Sequence, residues 1–140
     1  MAPPLKFNKL LDSFAGPQLR RDVSAALFAA ADDVRARSRR SITAGAVSGK
    51  NHVPSAPGEP PNNDTGNLIA SHETRMPAWN HAQAAVTAPY AAPLETGTSR
   101  MAARPFLGPA TRASRPDMQK RLTLAIQQAA KRAAASVGGR

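Results

Sequence analysis

The sequence predicts an α+β fold, with a long N-terminal helix and a C-terminal helix packed on a small antiparallel β-sheet, joined through a long extended Pro-rich loop. Three observations lead there. Apolar residues recur at helical spacing over 17–43 and again near the C-terminus. Short alternating segments fall between 68 and 106, and residues 44–66 hold four prolines and four glycines. The 140 residues fit one domain, 1–140.

The elements follow in order. Leu5–Phe14 reads as a short amphipathic helix with Leu10, Leu11 and Phe14 on one side. Gly16-Pro17 interrupts it, and proline is well tolerated in a first helical turn, so a second helix starts there. Val23, Leu27, Ala30 and Val34 give it one apolar face, and it runs over 17–43 with Gly45 as a stop. Residues 44–66 exclude a regular helix or a central strand and read as an extended arm.

Residues 68–76 alternate in character; their first part fits either a strand or an opening helical turn, and their second part a half-exposed strand. Ala82–Ala88 is a weaker strand, so Pro77–His81 becomes a five-residue hairpin loop. Tyr90–Thr96 forms a short helix stopped by Gly97, and Thr98–Phe106 is extended. The last helix spans 114–136. Ser114 is its expected N-cap, with Asp117 reaching back in a partial capping box. Met118, Leu122, Ala125, Ile126, Ala129 and Ala133 form its apolar face.

Composition narrows the function. Hydrophobic residues are 41% but aromatics only 4%, so the core is thin and alanine-rich. The chain has no cysteine, hence no disulfide or thiolate metal site. No apolar run reaches the roughly 20 residues of a membrane span. The N-terminus lacks the pattern of a signal peptide, so the expected compartment is the cytosol or an assembly built there. Formal net charge is +10, and residues 99–140 carry nine basic residues against one acid. Such an excess points to a polyanionic neighbour, either nucleic acid or an acidic protein.

No constellation supports catalysis. His52, His72 and His81 lack metal-ligand spacing, and none neighbours a carboxylate cluster. Asp32 and Asp33 are adjacent, so on a helix they diverge by about 100° and read as a solvated face. Gly45–Asn51 resembles a phosphate loop but has the wrong glycine spacing, lacks the Ser/Thr and follows a helix. The expectation is a non-enzyme without metal or cofactor. The arginines of 17–43 could touch a DNA backbone, face solvent or pair between subunits.

Three motifs occur in order. The first is Ala56-Pro57-Gly58-Glu59-Pro60-Pro61 with Asp64-Thr65-Gly66-Asn67-Leu68. The second is Tyr90-Ala91-Ala92-Pro93-Leu94-Glu95-Thr96-Gly97-Thr98-Ser99, and the third Ala102-Ala103-Arg104-Pro105-Phe106-Leu107-Gly108-Pro109-Ala110. Set between two helices, they resemble the tail-completion (head–tail joining) proteins of long-tailed bacteriophages, the gene-product-ten-like tail-component family. The likeness covers about residues 17–135. Pro93 and Thr96 depart from the aromatic or aliphatic pattern of that family, and the strands are richer in alanine.

The resemblance implies a structural virion protein of the phage neck. Such proteins form rings, usually hexameric, that complete the tail tube or terminate it. They contact the head connector or stopper and the tail terminator or tail-tube proteins. Genomic DNA passes through the ring, no membrane is involved, and assembly takes place in the host cytoplasm.

Within that frame the arm residues Val53, Pro57, Gly58, Glu59, Pro60 and Pro61 would meet a neighbouring subunit or neck protein. Asp64-Thr65-Gly66 would make a turn needing positive φ at Gly66. Tyr90, Glu95, Gly97, Arg104, Pro105, Phe106 and Leu107 complete the motif, with Arg104 pairing Glu95 and the Phe106-Leu107 pair anchoring the last helix to the sheet. Lys120, Arg121, Lys131 and Arg132 would face a partner, which is either the acidic surface of a tail or connector protein or the DNA of the channel. The alternative function is a small basic nucleic-acid-binding protein.

Overall fold

The structure is a computed structural model that describes residues 16–44, 47 and 49–138. The expected helix over Leu5–Phe14 and the stop at Gly45 lie outside the described residues. Helix α1 spans Pro17–Thr43, with Pro17 in the first turn and Gly16 before it. The short helix α2 (Asn67–Ala70) leads into strand β1 (His72–Ala78), which pairs antiparallel with β2 (His81–Val86). Helix α3 (Ala91–Thr96) and an extended passage then bring the chain to helix α4 (Leu107–Gly138). The fold is α+β, with two long helices and a two-stranded antiparallel sheet.

α1 is the central element, packing on α4 and on both strands. The two long helices run antiparallel, and three ion pairs mark their register. Asp22 meets Arg132, Asp33 meets Arg121 at 2.8 Å, and Arg37 meets Asp117 at 3.0 Å. From the first pair to the second, each helix advances about three turns, and from the second to the third about one turn. Every pair therefore recurs on the same stripe. The buried side chains near this seam are small: Ala30 and Val34 on α1, and Ala110, Ser114 and Ala125 on α4.

The larger apolar residues gather at the other end. Ile42, Leu68, Ala91 and Phe106 form one buried cluster, bordered by Ile69, Val86, Ala88, Leu94 and Leu107. Phe106 is 1% exposed. Phe106 and Leu107, expected to anchor the last helix to the sheet, join this cluster, in which Val86 of β2 packs beside residues of α1, α2 and α3.

His72 lies inside the same region. Its Nδ1 lies 2.8 Å from the Leu68 carbonyl and its Nε2 2.9 Å from the Ser38 hydroxyl. A carbonyl only accepts, so Nδ1 carries the proton and Ser38 donates to Nε2. The Phe106 ring sits 5.8 Å away, centroid to centroid.

Four expectations are corrected. The hairpin loop is the two-residue Trp79-Asn80 turn, because β1 carries one extra residue between Arg75 and Ala78. Pro77 falls in that bulge, where its missing N–H disrupts no regular ladder, so it does not end the strand. Second, the last helix begins at Leu107, not at Ser114. Ser114 is fully buried within α4 with its hydroxyl unpartnered, Pro116 is internal, and Asp117 turns to Arg37. Third, Ile126 is half exposed and leaves the apolar face, while Ala125 is buried. Fourth, Asp32 and Asp33 are not a solvated face: the first accepts from Thr74 on β1, the second from Arg121 on α4. Their angular divergence sends them to different elements.

Candidate interface where the three motifs meet

The three motifs are far apart in sequence and form one junction. Gly58 N–H donates to the Ala103 carbonyl at 2.9 Å, joining the first motif to the third. Arg104 N–H donates to the Leu94 carbonyl at 2.7 Å, joining the third to the second. Arg104 Nε donates to the Ser55 carbonyl at 3.2 Å, which fixes the arm from the side.

Glu95 is the hub. Its Oε2 accepts the N–H groups of Phe106 and Leu107 at 2.8 and 3.0 Å, and its Oε1 accepts that of Gly108 at 2.7 Å. A helix leaves its first four N–H groups without intrahelical partners. At the start of α4 these belong to residues 106–109, and Pro109 has none to donate. One carboxylate from α3 therefore satisfies every donor at that helix end, where its charge also suits the positive end of the helix dipole. This corrects the expected Glu95–Arg104 pair. Three converging amides hold the carboxylate, and the Arg104 side chain turns to the arm. It also explains the early start of α4, since the cap comes from a remote residue rather than from Ser114.

Two glycines shape the turns. Gly66 has φ +82° and opens α2, as expected for the Asp64-Thr65-Gly66 turn, while Asp64 accepts the Gly49 amide at 3.2 Å. Gly97 has φ +74°, and a Cβ there would lie 2.8 Å from the Ala103 backbone nitrogen. This close approach lets the second and third motifs touch. Pro105 leads directly into the buried Phe106.

A cavity of about 190 Å³ opens at the junction. Ile42, Leu68 and Leu94 supply apolar lining, and Arg104, Tyr90 and Asn62 supply polar groups. Tyr90 is 44% exposed.

The arm residues divide. Val53, Pro57, Gly58 and Glu59 are exposed, Pro60 is half-buried, and Pro61 is buried. Pro61 is thus part of this chain's own packing, which corrects its place among the contact residues. The arm's C-terminal half is held by its own domain, through the Gly58–Ala103 and Arg104–Ser55 bonds and the burial of Pro61.

The basic residues divide as well. Arg121 and Arg132 pair with Asp33 and Asp22 of α1, which corrects their placement as partner-facing. Lys120 and Lys131 are exposed. The sequence signal was available: acids and bases sit at matching intervals on two antiparallel helices, but the register needed to read it comes only from the fold.

The pKa of His72 is displaced. Burial lowers it below the usual imidazole value, and the nearby positive charges of Arg39 and Arg35 add to that; the Leu68 carbonyl opposes it. Among the described residues, no three His, Cys, Asp or Glu side chains cluster to hold a metal. No described helix is long and apolar enough to cross a membrane.

No protein-family model, curated protein or solved structure matches the chain.

Proposed function

We propose that the chain is a structural protein of the phage neck, a ring subunit that completes the tail tube and joins it to the head connector. The observation that carries this reading is the junction itself. The motifs that resemble the tail-completion family converge on Glu95 and Arg104, and they hold the arm with its tip outward. A ring subunit needs two different surfaces that close under rotation. A tip of Val53, Pro57, Gly58 and Glu59 anchored at Gly58 is one such surface, presented with little conformational entropy left to lose.

Loss of the protein tests the reading. A phage lacking it should yield filled heads and finished tails that do not join. Joined, infective particles would exclude a neck role.

A further inference from the structure

The arginines of α1 are sorted by their surroundings. Arg37 is consumed by Asp117. Arg35, Arg39 and Arg40 instead line one open cleft of about 300 Å³, together with Ala36, Thr43 and Ile69. Asp32 neutralises Arg35 at 2.7 Å. The guanidinium groups of Arg39 and Arg40 have no partner among the described residues, so they carry the cleft's net charge. A cationic residue near a helix C-terminus is favourable by itself. That accounts for Arg40 in the last turn, but not for three guanidiniums on one cleft.

We propose that this cleft binds the phosphodiester backbone of nucleic acid, independently of base sequence. Guanidinium forks match phosphate oxygens in two-point contacts and are weakly hydrated. The remaining lining, Ala36, Thr43 and Ile69, has no aromatic face on which a base could stack and no Asn or Gln to read a base edge. It also lacks the large aromatic anchor that usually carries a protein–protein contact, so an acidic protein fits less well. The buried His72 feels the same charges, since Arg39 and Arg35 push its pKa down. An anion seated on them will relieve that push, giving a reporter inside the fold. The site stands whether or not the chain forms a ring.

The test is titration with a random-sequence DNA duplex of about twenty base pairs, followed by fluorescence anisotropy over a salt series. Two double variants lose the same charge: Arg39→Ala with Arg40→Ala, and Lys120→Ala with Lys131→Ala. The first should weaken binding by about tenfold or more at moderate salt and reduce the salt slope by about two. The second should change affinity by less than about threefold. In the wild type, the duplex should also move the His72 imidazole NMR signal and raise its pKa. Equal loss in both variants would show diffuse attraction to a basic chain and overturn the cleft. So would absence of DNA binding, or an unmoved His72 signal. Binding of poly-glutamate that depends on Arg39 and Arg40, with DNA binding intact in that variant, would reassign the cleft to an acidic protein.

Discussion

Glu95 Oε1 accepts the Gly108 amide at 2.7 Å, and a Cβ on residue 108 would lie 2.8 Å from that same oxygen. The absence of a side chain at 108 and the carboxylate at 95 are one device. The oxygen belongs to a flexible side chain, so it could retreat, but only by giving up the bond.

The first prediction concerns that device. Glu95→Ala removes the acceptor for three amides and should cost about 2–3 kcal/mol of stability. Glu95→Gln keeps one acceptor oxygen and should fall between it and the wild type. Gly108→Ala should be destabilising despite alanine's better helix propensity. Urea unfolding measures all three. A more stable Gly108→Ala would show that the carboxylate does not need the close approach.

A second prediction concerns Phe106, which is 1% exposed among Ile42, Leu68 and Ala91. Phe106→Ala should cost about 3–5 kcal/mol. An unchanged midpoint would contradict its burial.

The helix seam gives a third prediction. Arg121→Asp sets a like charge against Asp33, and pairing it with Asp33→Arg restores the attraction in reverse. The side chains are 48% and 37% exposed, so the coupling should be small, about 0.5–1 kcal/mol, and should shrink in salt. Lys120→Asp should show no coupling to Asp33. A double-mutant cycle reads the difference directly.

Much of this was legible in the sequence, in physical terms. Helical spacing marked α1, Gly97 marked the end of α3, and Gly66 marked a turn that needs positive φ. The start of α4 was not legible. Ser114-Arg115-Pro116-Asp117 mimics a helix beginning, whereas the true cap comes from Glu95, and only tertiary structure brings it there. The role of Arg104 was misread for the same reason: opposite charges in neighbouring motifs suggest a pair, but backbone amides hold the acid more closely. The ends of β1 and β2 depend on a bulge that tolerates Pro77, which residue alternation does not reveal.

The fourth prediction is a pH dependence. The folded pKa of His72 lies below its unfolded value of about 6.5. Between those two values the unfolded chain binds more protons than the folded one, so stability rises with pH across that window. His72 therefore contributes stability above about 6.5 that is lost as pH falls through its folded pKa, and the loss levels off below it. Chemical denaturation across mildly acidic pH should show this slope, and His72→Gln should flatten it. An unchanged slope in that variant would assign the dependence to other groups. Ser38→Ala, which leaves Nε2 without its donor, should cost about 1–3 kcal/mol at neutral pH.

The proposed ring role is tested most directly by native mass spectrometry of the purified chain at rising concentration, beside Val53→Asp at the arm tip. The account predicts one closed oligomer of fixed copy number in the wild type. It also predicts a folded monomer for Val53→Asp, because Val53 is 62% exposed and contributes nothing to this chain's own core. A wild type that stays monomeric at every concentration, or that assembles equally well with Val53→Asp, would contradict a ring built through the arm.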